Sequence, residues 1–147
     1  MKVVIVDYRM GNIQSIVGAL KYLNVEDIVV SNDSYDIFSA NKIILPGVGS
    51  FATAMHNMKT LGLDKCLREA VIINKKPILG ICLGMQLMGE SSTENTSSSG
   101  LGFIKGRVCK FKKCNLKIPH IGFNQVNFAS NSKLFRGLDN FSDFYFI

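Results

Sequence analysis

The stretch Lys75-Lys76-Pro77-Ile78-Leu79-Gly80-Ile81-Cys82-Leu83-Gly84-Met85-Gln86-Leu87-Met88-Gly89-Glu90 decides how this chain is read. Residues 77–81 are a short apolar run of the kind that forms a buried strand. Met85, Gln86, Leu87 and Met88, after the glycine, favour helix. Gly80-Ile81-Cys82-Leu83-Gly84 thus places a reactive side chain between two glycines where a strand turns sharply into a helix, the G-x-nucleophile-x-G arrangement. Sterics call for both glycines, because a Cβ two residues before or after the nucleophile would collide across the turn. The N–H groups at the start of the helix face back toward the turn, where they favour negative charge and can hold an oxyanion. Cys82 is the candidate nucleophile. A free cysteine is also commonly a small core residue, and that plainer reading stands beside the first.

The apolar alternation spreads outward from this turn on both sides. Residues 2–7 form a β-branched run typical of a central parallel strand. Asn12 is placed to cap a helix whose Ile13, Ile16, Val17, Leu20 and Leu23 share one face. A strand over 28–30, a short helical piece with Ile37 and Phe38, and a strand over 42–45 follow. Helices are expected over 51–60 and 63–74, separated by Gly62, and a polar loop over 91–100. From Gly102 onward the pattern turns β-rich, with strands expected at 103–111, 117–121, 125–128 and 144–146. Strand-helix alternation of this kind builds a parallel sheet covered by helices. The expected fold class is α/β, a mostly parallel central sheet flanked by helices, with a β-rich C-terminal part.

The third strand opens into Pro46-Gly47-Val48-Gly49. Its spacing fits neither a P-loop nor a dinucleotide fingerprint. Beside a nucleophile turn, the glycines suit a backbone that swings an N–H toward a substrate carbonyl; by itself the segment reads equally as an ordinary strand-to-helix loop.

Composition narrows the possibilities. A chain of 147 residues, 47% hydrophobic and 19% charged, has the make-up of one globular domain with a real core. The apolar run at the N-terminus is cut off by Asp7, too short for a membrane span or an export signal. The four cysteines, Cys66, Cys82, Cys109 and Cys114, are therefore expected to stay reduced in the cytoplasm. Cys109 and Cys114 lack metal-ligand spacing, and no metal site is expected. The net charge of +6 is densest at Lys105, Arg107, Lys110, Lys112, Lys113 and Lys117. There it alternates partly with apolar residues, as on the wet face of a strand pair. No nucleic-acid signature accompanies it.

Several of these segments carry a family resemblance. Residues 77–87 resemble the nucleophile segment of class I glutamine amidotransferases, and are most similar to the glutaminase subunits of imidazole glycerol phosphate synthase. Ile44-Leu-Pro-Gly-Val-Gly-Ser-Phe is similar to the family's oxyanion segment. Lys117-Ile-Pro-His-Ile-Gly-Phe-Asn resembles its K-x-P-H-x-G-W-N segment, and Asp143-Phe-Tyr-Phe the strand that follows. The resemblance runs through the whole chain. It implies Cys82 as nucleophile, with the amides of Val48, Gly49 and Leu83 as oxyanion donors. Gly47, Gln86 and Glu94 would contact the glutamine. On residue chemistry alone Gln86 is a good helix former and Glu94 a solvated carboxylate. No cofactor is implied. The implied partner is a (β/α)8-barrel synthase that receives ammonia and makes imidazole glycerol phosphate for histidine biosynthesis, with no nucleic acid or membrane involved.

Two positions depart from the family pattern. Arg9 stands where the D-Y-G-x-G-N opening has glycine, and Phe123 stands at the tryptophan position. They hint at a paralogue that feeds ammonia to a synthase amidinating a cell-surface sugar. A larger departure concerns the base. In the family a histidine, followed two residues later by a glutamate, lies beyond the Phe-Tyr-Phe strand, and residues 1–147 hold only His56 and His120. His56 receives no role; spacing alone leaves His120 open as a substitute base, while the resemblance places it in a structural or partner-facing segment. The resemblance therefore implies one domain over 1–147 without its C-terminal portion, hydrolysing glutamine poorly or not at all. A catalytically silent binding subunit is the remaining reading.

Overall fold

A computed structural model describes residues 1–94, 97–111, 118–129 and 131–146. They form two compact units, Met1–Lys110 and Phe111–Ile147.

The first unit is built on a four-stranded parallel sheet. Its strands are β1 (Val3–Val6), β2 (Ile28–Ser31), β3 (Lys42–Leu45) and β4 (Ile78–Gly80), in the order β2-β1-β3-β4. Val3 pairs with Ile28 on one side and Lys42 on the other, and Leu45 pairs with Gly80. β1 is buried from end to end because both of its faces are covered. Val4 and Val6 join a core with Ile37, Met58, Leu63, Leu67 and Leu87. Val3 and Ile5 face the other way, toward Ile13, Ile16, Val17 and Leu20. A parallel strand covered by helices on both faces has no polar alternation to show, which is why the sequence reads Val-Val-Ile-Val.

Helix α1 (Ile13–Tyr22) begins where expected, with the Asn12 side chain accepting from the Ser15 N–H at 3.4 Å. Its end corrects one assignment. Leu23 is not on the packed face; it is 68% exposed. Asn24 takes a left-handed φ of 57°, its N–H bonds to the Lys21 carbonyl, and the Val25 N–H reaches back to Leu20. This is a Schellman ending, in which the residue after the left-handed one packs on the last turn. Val25 therefore covers the sheet in place of Leu23.

Helix α2 (Ser34–Ser39) is capped by Asp33, whose side chain accepts from Tyr35 N–H at 2.7 Å. Helices α3 (Phe51–Thr60) and α4 (Leu63–Arg68) meet at Gly62, whose φ of 69° is costly for any other residue. The expected second helix continues over Glu69–Ile73, but as a π-helix. Helix α5 (Leu83–Leu87) follows β4 after two residues, Ile81 and Cys82.

The polar stretch over 91–100 is more ordered than expected. β5 (Ser91–Ser92) pairs antiparallel with β6 (Ser98–Ser99) and parallel with β7 (Arg107–Val108). Serine-rich composition concealed a ladder made by backbone groups alone. The strand expected over 103–111 shrinks to β7, because Gly102 (φ 67°) and Gly106 (φ 135°) bend the chain before it. Lys112, Lys113 and Lys117 of the basic run lie outside the described residues. The wet strand pair expected there is not formed at Lys105 or Lys110.

In the second unit β8 (Gly122–Val126) and β9 (Ser142–Phe146) form an antiparallel pair, Phe123 opposite Tyr145. The strand expected over 117–121 is not formed at residues 118–121, and the one expected over 125–128 lies earlier, as β8, and ends before Phe128. Phe128 instead stacks on Phe135 at 4.6 Å in the connection between the strands. No helix among the described residues is long and apolar enough to cross a membrane.

The two leucines make a direct test. Leu67→Ala, at a fully buried site, should cost about 2–5 kcal/mol of unfolding free energy. Leu23→Ala should change it by less than about 0.5 kcal/mol. Urea denaturation measures both, and equal losses would contradict the helix ending.

Candidate active site at the strand-to-helix turn

At the end of β4 the Ile81 N–H continues the ladder to the Leu45 carbonyl at 3.0 Å. The chain then reverses within one residue. Cys82 has φ 54° and ψ −118°, a conformation that L-residues rarely adopt. Its carbonyl accepts from the N–H groups of Met85 (3.0 Å) and Gln86 (3.3 Å), so it caps α5 through its backbone. The thiol is exposed at the tip. Among the described residues it makes no hydrogen bond, and the Leu83 N–H, first of the helix, has no partner.

Three glycines make this geometry possible by being small. A Cβ on Gly80 would stand 2.6 Å from Met85 Cα and 2.7 Å from Met88 Sδ, so glycine lets the helix fold back over its own strand. A Cβ on Gly84 would run into the Leu45 carbonyl and stand 2.9 Å from the Pro46 oxygen. A Cβ on Gly47 would meet the Tyr8 hydroxyl, with Gly84 N at 2.7 Å and Leu83 Cβ at 2.9 Å. The loop after β3 and the turn after β4 are therefore in backbone contact at the carboxyl end of the parallel sheet, where ligands bind in open α/β sheets.

The residues singled out in the sequence fall into two sets. Gly47, Leu83 and Cys82 are brought together by that contact, and Val48 and Gly49 continue the same loop, Val48 being 52% exposed. The N–H groups of Gly47, Val48 and Gly49 have no partner among the described residues. Gln86 is half-buried on the first turn of α5. Glu94 is half-buried just beyond β5, its N–H donating to Ser92 Oγ at 3.2 Å. No hydrogen bond or ion pair ties Glu94 to the turn among the described residues. His56 is exposed on α3. His120, in the second unit, lies with Nε2 3.1 Å from Asn124 Nδ2 and its ring 5.9 Å from that of Phe146.

Sequence reading missed Tyr8. It is wholly buried at the end of β1 and donates from its hydroxyl to the Pro46 carbonyl at 2.7 Å. Burial first, and the charge of Cys82 second, hold its phenol well above the ordinary tyrosine range. Its position after Asp7 in a turn-like segment carried no sign of burial. Arg9, one residue on, tolerates φ 68° where glycine is easier, with its N–H on Asp7 Oδ1 at 2.9 Å. The other described cysteine near the core, Cys66, has its thiol pushed up by burial, then by Glu69 and Asp33. A thiol held protonated is a poor nucleophile.

A family model described as "Glutamine amidotransferase class-I" matches residues 4–146. Imidazole glycerol phosphate synthase subunit HisH 1 of Campylobacter jejuni (strain RM1221) is 46% identical over 99% of this chain and 72% of its own length. Subunit HisH 2 of Vibrio vulnificus (strain YJ016) is 44% identical over 100% of this chain and 69% of its own. Subunit HisH of Pelagibacter ubique (strain HTCC1062) is 41% identical over 100% and 73%.

Strain at Cys82 can be measured. Glycine accepts φ 54° without the clash, gaining about 1–3 kcal/mol, against about 0.4–1 kcal/mol of extra unfolded-state entropy. Cys82→Gly should therefore be more stable than Cys82→Ala by about 1 kcal/mol in urea denaturation. Equal stability of the two variants would mean that residue 82 is not strained.

Proposed function

This chain belongs to the class-I glutamine amidotransferase family, and from that premise we propose that it is the glutaminase subunit of an imidazole glycerol phosphate synthase. It hydrolyses glutamine at Cys82 and passes the ammonia to a synthase partner in histidine biosynthesis. The observation that carries the reading is the strained, exposed Cys82 on a turn packed against the Gly47 loop.

The chemistry proceeds in two halves. The Cys82 thiolate attacks the side-chain amide carbon of glutamine, forming the C–S bond and placing negative charge on the amide oxygen. The N–H groups of Leu83 and of Val48 and Gly49 receive that oxyanion, which is worth most where donors are already in place. The C–N bond then breaks, and ammonia leaves with a proton from a general acid. Water attacks the resulting thioester, releasing glutamate and restoring the thiol. Gly47, Gln86 and Glu94 hold the glutamine. The general acid and base is a histidine, oriented by a glutamate two residues later, in the family's arrangement. Neither has a counterpart in residues 1–147, and the described residues give the Cys82 thiol no bonded base.

Further features belong to the same proposal. The two compact units together make one amidotransferase domain, since the family match crosses both. The partner is a (β/α)8-barrel subunit, the assembly a cytoplasmic heterodimer, and the overall reaction that of a lyase fed by a glutaminase.

Two measurements test this. Treatment with the diazo-ketone glutamine analogue 6-diazo-5-oxo-L-norleucine should give one adduct, at Cys82, that L-glutamine suppresses and Cys82→Ser abolishes. Labelling spread over Cys66 and Cys109, indifferent to glutamine, would defeat the glutaminase reading. Glutamine turnover by residues 1–147 alone should run on the order of a thousandfold or more below that of the same chain supplied with the histidine-bearing segment. Full turnover by residues 1–147 alone would show that a base is already present.

A further inference from the structure

We propose that Tyr8 is a positioning residue: its hydroxyl, by holding the Pro46 carbonyl, fixes the peptide plane that leads into Gly47–Gly49 and so aims the N–H groups of that loop at the Cys82 turn. The inference rests on the glutaminase reading and adds to it the group that keeps the oxyanion donors in place.

The geometry has four parts. Tyr8 is fully buried and donates to Pro46 O at 2.7 Å. The Tyr8 backbone is itself held, its carbonyl accepting from Asn57 Nδ2 at 3.2 Å on α3. The Tyr8 hydroxyl also fills the space where a Cβ on Gly47 would stand. Gly47 is also wedged against Gly84 N and Leu83 of the turn, and beyond it the loop is thinly held. The N–H groups of Gly47, Val48 and Gly49 have no partner among the described residues, Val48 is exposed, and Gly49 sits at φ 97°.

A peptide group is planar, so anchoring the Pro46 carbonyl also sets the direction of the Gly47 N–H and the start of the next unit. Glycine crosses between backbone basins at little cost, so a segment with glycines at two of three positions needs an external anchor to keep one orientation. Oxyanion donors act through being preorganised; donors that must reorient during the reaction lose most of their effect. Tyr8 suits the task because it stays a donor. Burial and the nearby Cys82 charge hold its phenol protonated through the working pH range.

Tyr8→Phe removes the hydroxyl and leaves the ring in the core. Two measurements on the whole chain test it. The first is the backbone 15N order parameters of residues 47–49. These should fall from the rigid range of about 0.85 toward about 0.6, with those of residues 80–84 unchanged. The second compares alkylation of Cys82 by two reagents at pH 9, where a thiol ionises without a base. Iodoacetamide needs no oxyanion donors, and its rate should stay within about twofold. The diazo-ketone analogue passes through a carbonyl held by the loop. Its maximal rate should fall about tenfold while its half-saturating concentration stays the same. Asn57→Ala, which frees only the Tyr8 carbonyl, should shift both measurements the same way by a smaller factor, and serves if Tyr8→Phe does not fold.

Unchanged order parameters, or equal losses with both reagents, overturn the inference and leave Tyr8 as core packing. Absence of glutamine-protected labelling in the unsubstituted chain instead overturns the glutaminase reading, and with it the aim of the loop. The order parameters still decide whether the hydroxyl pins it.

Discussion

The contact between two backbones at the carboxyl ends of β3 and β4 is the constraint on which the rest of the first unit depends. Gly84 lies against the Leu45 and Pro46 carbonyls, and Gly47 lies against Gly84 N and Leu83. No side chain fits between them. Replacing either glycine forces the loop and the helix apart, because backbone atoms, the Leu45 and Pro46 carbonyls at Gly84 and Gly84 N at Gly47, stand among the obstructions and cannot rotate away. The Ile81 N–H to Leu45 carbonyl bond locks the same junction from the strand side. Close approach of this kind costs conformational entropy in the unfolded chain, and the core beneath offsets it. Leu83 and Leu87 of α5 are buried with Leu45, Phe51 and Met58 in one cluster.

Strain at Cys82 follows from that junction. The helix must start immediately after the strand for Gly84 to seat on Leu45, which leaves one residue to make the turn. That residue takes φ 54° and ψ −118° and holds its side chain in solvent. A cysteine so placed gains nothing for stability. It gains exposure, a helix start at its back and a neighbouring loop with unengaged N–H groups. Strain of this sort persists only where surrounding structure over-determines it, and here two ladders and a core do so.

The two ends of the chain differ in how they reach order. In the first unit β1, β2, β3 and β4 are ordered by a sheet covered on both faces. In the second, two strands and a cluster of Phe128 stacked on Phe135, with Phe144 edge-on to Phe135, do the work, while Phe123 remains 71% exposed beside Tyr145. A two-stranded sheet has only one set of cross-strand pairs to stabilise it. Its residues accordingly show the weaker patterning that made the strand boundaries there hard to place.

Much of this was legible in the amino-acid sequence. The parallel strands at 3–6 and 42–45 announced themselves by the apolar runs Val3–Val6 and Ile43–Leu45. Asn12 announced a helix start, Gly62 a helix break, and the spaced glycines around Cys82 a sharp strand-to-helix turn. These signals are local: each follows from what a residue can do with its own backbone and nearest neighbours. What tertiary structure decided lay in pairings between distant segments. Ser91, Ser92, Ser98 and Ser99 carry no strand propensity and became strands because the two segments pair with each other and β7 lies along the far side of Ser91 and Ser92. Leu23 looked like core until Asn24 ended the helix left-handed and Val25 took its place. Tyr8, unremarkable beside Asp7 and Arg9, became the anchor of the loop 38 residues away. A residue's type determines which bonds it is able to make; only the folded chain determines which atoms are within reach to make them.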